Sequence, residues 1–383
     1  MLNQQEVIEK IQLHLAATPH AEATPAYVAQ LVRAEVGVIS DEDVWKILRR
    51  IRHDSQGVGE LESILALDNV TDVLVNGPDE VWFDRGNGLE RASISFDNDQ
   101  AVRQLATRLA VACGRRLDDA QPFADGKLNR DDGSSVRVHA MLSPPADGGT
   151  CISLRVLRQA AMTLDDLVAR GSMSAMIAEV LRRAVRARKS FLVVGGTGSG
   201  KTTLLAAMLG EVAGNERIVC IEDTAELRPV HPHVVSLVAR AVNVEGTGSI
   251  TMADLLKQSL RMRPDRIVLG EIRGAEVVDL LAALNTGHDG GAGTIHANSI
   301  HEVPARMEAL AMLGGLDRPA LHAQLNAAVH LVVAVRREDS HRVVAELGVL
   351  NQGPDKSVEI QTIWQHNDGD SLTMEEMCEV IGC

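Results

Sequence analysis

Residues 191–205 read FLVVGGTGSGKTTLL, a spacing of glycines, lysine and hydroxyls that suits a phosphate group. Gly195, Gly200, Lys201 and Thr202 satisfy the P-loop pattern, with an apolar strand at 191–194 before them and a helix at 204–212 after them. Glycines at 195, 196, 198 and 200 allow the backbone to turn N–H groups around β- and γ-phosphates, and the helix N-terminus adds its dipole. Lys201 offers positive charge, and the Thr202 hydroxyl can ligate Mg2+.

Such a loop implies a nucleotide without saying what its energy does. The carboxylates downstream narrow the chemistry. RIVCIEDTAE ends an apolar strand in Glu222 and Asp223, and RIVLGEIRGAE ends another in Gly270 and Glu271. The C-terminal ends of parallel strands are where an α/β sheet presents ligands, so both acids are expected to face Mg2+ and the γ-phosphate. Each could hold a metal-bound water or orient the attacking one, and which is the principal catalytic group stays open. In TGHDGGAGTIHANS, glycines 287, 290, 291 and 293 predict an adaptable loop carrying His288 and His296. Each histidine is either a satisfied structural group or a sensor of the γ-phosphate. Zinc is poorly served, because no cysteine lies nearby.

Positioning these groups requires an α/β sheet, and from Phe191 onward apolar strands alternate with helical stretches as a parallel sheet demands. Upstream, VTDVLVNGPDEVWFD predicts two strands about an Asn-Gly-Pro turn, AVRQLATRLAVACG an amphipathic helix, and SSVRVHAML and TCISLRVL two further strands. The predicted organisation is a helical N-terminal extension at 1–57, a smaller α+β domain at 58–160, a basic helical linker at 161–190, the α/β domain at 191–366 and an acidic tail at 367–383. The tail has five acids and neither Lys nor Arg, so it is expected to be mobile or loosely docked. The linker, with Arg182, Arg183, Arg186, Arg188 and Lys189, is the only segment in which basic residues outnumber acidic ones. It reads either as a solvated helix face or as a surface meeting an acidic neighbour domain.

The 383-residue chain has a formal net charge of -14 and 2% aromatic residues, which argues against gripping nucleic acid through basic clusters or stacking platforms. Five cysteines without a C-x-x-C pair argue against a disulfide framework and fit a reducing cytoplasm. The polar start lacks a secretory signal, and the apolar run at 329–335 is far below the roughly 18 residues that span a bilayer, so any membrane role is expected to be peripheral.

The boxes GGTGSGKTT, IEDTAE, RMRPDRIVLGEIRGAE and TGHDGGAGTIHANS, in this order, resemble the secretion or traffic ATPases of type II and type IV secretion and type IV pili. The resemblance is greatest to the CpaF-like motors that assemble Flp (Tad) pili, and it extends upstream through VTDVLVNGPDEVWFDRGNGLER, GRRLDDAQPFADGKL and GGTCISLRVLR. It implies a RecA-like motor preceded by a PAS-like N-terminal domain, and a cytoplasmic homohexamer bound peripherally to the inner face of the membrane. Such a ring would act on pilin indirectly, through inner-membrane platform proteins. In that family Gly195, Gly196, Thr197, Gly198, Ser199, Gly200, Lys201, Thr202 and Thr203 would cradle ATP. Thr202 and Glu271 would support Mg2+, Glu222 and Glu271 would polarise water, and His288 and His296 fall in the His box. Arg137 and Arg155 match N-terminal-domain arginines that reach the nucleotide, and Arg240, Arg261 and Arg263 match arginines supporting phosphate and subunit contacts. The KLNRDDGSSVRVHA turn is longer than the subfamily's usual one, and the cysteine-rich insertion of several type II relatives is absent. Three alternatives stand beside pilus assembly: a type IV secretion or conjugation ATPase, a nucleic-acid motor and a non-hydrolysing, nucleotide-gated scaffold.

Overall fold

The computed structural model describes Leu31, Ala34 and residues 57–86, 88–130, 134–157, 162–240, 248–338, 341–367 and 372–383. Apart from Leu31, Ala34 and residue 57, the expected N-terminal helical extension lies outside the described residues. The chain divides into two compact units, Met1–Arg158 and Gln159–Cys383.

In the first unit six strands, β1 (Asp72–Asn76), β2 (Val81–Asp84), β3 (Leu89–Arg91), β4 (Phe123–Asn129), β5 (Ser135–Met141) and β6 (Cys151–Leu157), form a sheet of order β3-β2-β1-β6-β5-β4. Every neighbouring pair in it is antiparallel. Helix α1 (Asp99–Ala112) buries Val102, Leu105, Ala106, Leu109 and Ala110, a spacing of three and four residues that makes one apolar stripe. The Asn98 side chain caps it by accepting from Ala101 N–H at 3.0 Å. The stripe shares its core with alternate strand residues, among them Val73, Val75, Val136, Val138, Ile152 and Leu154. The intervening residues Arg137 and Arg155 are exposed and stand opposite each other across β5 and β6.

The second unit carries eight strands, β7 (Phe191–Val194), β8 (Ile218–Glu222), β9 (Val234–Val238), β10 (Arg266–Ile272), β11 (Ala292–Ile295), β12 (Leu331–Glu338), β13 (His341–Gln352) and β14 (Val358–Gln365). Their order is β14-β13-β12-β7-β11-β10-β8-β9, parallel from β12 to β9 and antiparallel through β12, β13 and β14. Phe191 and Val193 enter one core while Leu192 and Val194 enter the other. Burial on both faces is why β7 reads as an unbroken apolar run instead of an alternating one.

Two segments depart from expectation. The stretch at 161–190 is built into this unit and is not a separate linker: α2 (Leu164–Ala169) and α3 (Ala175–Arg186) bury Leu164, Leu167, Ile177, Leu181 and Val185 in the core of the sheet. Its arginines meet acids of the same unit, Arg182 with Asp165, Glu179 and Glu211, Arg186 with Glu211, and Arg188 with Glu216 and Asp265. The acidic tail also docks. Thr373 and Glu376 form a capping box that starts a helix at Met374–Ile381, whose Met377, Cys378 and Ile381 join the same core.

Arg266, 0% exposed, ties these layers together. It donates to Glu216 Oε2 at 2.7 Å, to the Gly290 carbonyl at 3.2 Å and to the Val185 carbonyl of α3 at 3.0 Å. Gly290 must lack a side chain, because a Cβ there would lie 1.8 Å from the guanidinium. Arg266→Ala removes a fully buried donor from Glu216, Gly290 and Val185 at once and leaves Glu216 only the half-exposed Arg188, so it is expected to lower unfolding free energy by about 3–5 kcal/mol in chemical denaturation. A loss below about 1 kcal/mol would show that the pair does not hold the layers.

Candidate functional site

The C-terminal ends of β7, β11, β10 and β8 lie side by side, and each delivers one element of the sequence motifs. β7 runs into the phosphate loop, β11 leads into His296, β10 carries Glu271, and β8 ends in Glu222. Adjacent strands are about 4.8 Å apart, so the sheet sets these groups out in a row.

Within the loop, Gly195, Gly198 and Gly200 have φ of +156°, +72° and +100°, values that favour glycine. A Cβ at Gly195 would lie 2.3 Å from the Val335 carbonyl oxygen and 2.5 Å from Ser199 Oγ, so here the loop has no room for a side chain. Gly196, Thr197 and Gly198 are exposed at the tip, and Thr202 and Thr203 are half-buried in the first turn of the helix Lys201–Leu209. Lys201 is 8% exposed and donates to the Gly195 and Gly196 carbonyls at 2.9 and 2.8 Å. Its ammonium therefore lies over the loop, where it can exchange a carbonyl for a phosphate oxygen.

Glu222 is 4% exposed and lies against the adjacent strand, where a Cβ on Gly270 would approach its Cγ to 2.6 Å. Oε1 accepts from Glu226 N–H at 3.0 Å and Leu227 N–H at 2.9 Å, while Oε2 is buried with no hydrogen-bond partner among the described residues. Burial pushes this carboxyl above the usual carboxylate range, against the pull of those two N–H groups. Glu271 is different, being 41% exposed at its side chain and 3.0 Å from His296 Nε2. Burial is the main cause holding the His296 imidazole below its ordinary pKa, and Lys201 pushes the same way against Glu271. At neutral pH the ring is therefore uncharged and donates Nε2–H to the Glu271 carboxylate.

Several expected site residues lie elsewhere. His288 is not in a shared loop with His296: β11, with Gly293 inside it, separates them, and Ala292 and Ile295 pair with Phe191 and Val194. His288 thus sits at the far end of the sheet from the phosphate loop, bonded through Nδ1 to the Ala283 carbonyl at 3.3 Å. Arg261 and Arg263 precede β10 at that same far end, and Arg261 donates to the Lys257 carbonyl at 3.0 Å. Arg240 follows β9, four strands from β7 and so about 19 Å across the sheet, and donates to the Gly248 carbonyl at 2.8 Å. Arg137 and Arg155 belong to the first unit. Ser199, expected in the cradle, has a buried hydroxyl with no partner among the described residues. Three supporting groups escaped the sequence reading: Gly270, on which Glu222 lies; Arg273, ion-paired with Asp223; and Glu276, which accepts from Arg273 and Gly274 N–H at 2.8 Å.

The geometry of Glu222 makes a stability prediction. In Glu222→Gln the amide oxygen can keep both N–H bonds while the buried charge is lost. A raised folded pKa means the parent loses stability as pH climbs from the unfolded value of about 4.3 through the folded one. The variant is thus expected to match the parent below about pH 4 and to be more stable at pH 7, as read from melting temperatures across pH. A Gln variant less stable than the parent at pH 7 would remove the argument for a charge held at a cost.

Residues 54–368 match the family described as "Type II/IV secretion system protein". A Mycobacterium tuberculosis (strain ATCC 25618 / H37Rv) protein named "Putative conjugal transfer protein" is 57% identical over 335 residues, covering 87% of this chain and 95% of its own. The conjugal transfer protein TrbB of Rhizobium radiobacter is 32% identical over 305 residues, covering 78% and 90%. The pilus retraction motor PilT, solved with bound ADP, shares the fold at a TM-score of 0.54 and 18% identity, covering 83% of this chain and 84% of its own. The Legionella pneumophila ATPase DotB does so at 0.51 and 18%, covering 82% of each. With the fold, the phosphate loop and the acids in place, the match shows that this chain belongs to the type II/IV secretion system protein family.

Proposed function

We propose that the chain hydrolyses ATP to ADP and phosphate and that six copies form a ring driving a type II/IV secretion machine. The observation carrying this reading is the row of Lys201, His296, Glu271 and Glu222 along four adjacent strand ends. The residues fit a nucleoside triphosphate with Mg2+: the loop is sealed around Gly195, and Ser199 Oγ and Glu222 Oε2 are buried without partners among the described residues. Thr202 and Glu271 would hold Mg2+, directly or through water, and the ion would neutralise phosphate charge. Glu222 Oε2, with raised basicity and no competing donor, fits a group that orients and deprotonates water, while Glu271 is steered by His296. Lys201→Ala and Glu271→Ala are each expected to lower ATP turnover by about 100-fold or more in phosphate-release assays. Either variant hydrolysing ATP as fast as the parent contradicts the assignment. A shift to hexamer mass with ATP and Mg2+ in size-exclusion chromatography is expected of the ring, and a monomer under all conditions opposes it.

Assembly of Flp-type pili through inner-membrane platform proteins is the cargo suggested by the motif resemblance. The names of the relatives from Mycobacterium tuberculosis and Rhizobium radiobacter favour conjugal transfer equally well. Deleting the gene separates the two, because loss of surface pili with intact DNA transfer supports the first and the reverse supports the second. No described helix is long and apolar enough to cross a membrane, consistent with a ring docked onto membrane proteins.

A further inference from the structure

The hairpin of β12 and β13 reaches the phosphate loop from the side away from the acids. β12 pairs in parallel with β7 as far as Ala334 and Val194, so Val335–Glu338 runs on beside the loop that begins at Gly195. The hairpin register shifts between Ala334 and Val335, a bulge that leaves Ala345 unpaired and re-aims β13 at this level. Beyond the bulge, Arg342 crosses to the loop. Its Nε donates to the Gly198 carbonyl at 2.9 Å, and its stem covers Gly200, where a Cβ would meet Arg342 Cδ at 3.1 Å.

We propose that Arg342 is a positioning residue of the phosphate loop, holding the Gly198–Ser199 peptide so that the Ser199 N–H is offered to the nucleotide phosphates. In a trans peptide the C=O and N–H point to opposite sides, so a donor fixed on the Gly198 carbonyl turns the Ser199 N–H away from Arg342. That N–H now makes only a 3.4 Å bond to the Gly196 carbonyl, long enough to be exchanged readily for a phosphate oxygen. A charged donor holds a carbonyl more firmly than a neutral one, and the planar guanidinium fixes its direction. The bare Cα of Gly200 serves this contact as well as the turn, because the arginine stem lies in the space a side chain would take.

This role rests on reading the loop as an ATP site, and one series of full-length variants separates the two. Lys201→Ala tests the site: if the parent does not hydrolyse ATP, or Lys201→Ala equals it, the ATPase reading fails. With that control satisfied, Arg342→Met keeps most of the stem and removes the donor. It is expected to raise KM for MgATP by about tenfold or more while kcat stays within about twofold. Arg342→Lys is expected to recover most of the difference. Arg336→Met, on the same hairpin and ion-paired with Glu338, is expected to match the parent. Should the Met variant fail to fold, Arg342→Gln and Arg342→Lys, which keep a donor, give the same reading through a KM between that of the parent and a tenfold rise. Unchanged KM in every folded Arg342 variant, or a fall in kcat alone, overturns the proposal.

Discussion

The close approach of backbone at the carboxyl edge of a fully covered parallel sheet is the constraint from which the site follows. Strands buried on both faces leave only their ends for polar chemistry, and there the chain gives up side chains to bring groups together. At Gly195 the loop lies against the Val335 carbonyl and the Ser199 hydroxyl, and at Gly270 the Glu222 side chain lies directly across its neighbour strand. A methyl group at either position would push apart what the chemistry needs adjacent. The same closeness explains the unequal acids, since Glu222 is sealed in by it while Glu271, a strand nearer the loop, stays open to solvent and to His296.

A buried carboxylate with one oxygen unpartnered is costly, and the rest of the second unit shows how the cost is contained. The Glu226 and Leu227 N–H groups hold Oε1, fixing the side chain without neutralising it. Beneath the site, Arg266 ties α3, Glu216 and the turn at Gly290 into one block. A rigid sheet of this kind keeps the donors of the loop and the two acids in fixed relation, which electrostatic catalysis requires because fixed dipoles need not reorganise during reaction.

Much of this was legible in the sequence because it is local. The phosphate loop, the strand before it and the acids at 222 and 271 are written in runs of fewer than twenty residues, and all lie where the pattern put them. Information about partners across the fold is not local. The arginines of α3 and Arg188 read equally as a solvated face or as a surface meeting an acidic neighbour domain, and only the folded unit brings Glu211 and Glu216 against them. Gly293 read as loop, but in β11 it sits where a Cβ would meet Ile272 Cδ1 at 2.8 Å, so a glycine needed for strand packing hid the strand that separates His288 from His296. The acidic tail concealed a helix whose three buried residues need a core that only the folded sheet supplies. Arg342 acts on Gly198 across 144 positions, a pairing no window could reveal.

The central claim is that the loop at 195–203 and the acids on the neighbouring strands form one ATP site. A crystal structure of the full chain with Mg2+ and a non-hydrolysable ATP analogue tests it most directly. The β- and γ-phosphates are expected inside the loop, with Lys201 moved from the Gly195 and Gly196 carbonyls onto phosphate oxygen and Glu222 Oε2 facing the γ-phosphate. Phosphates bound elsewhere, or Lys201 still on those two carbonyls with the analogue present, would contradict the account.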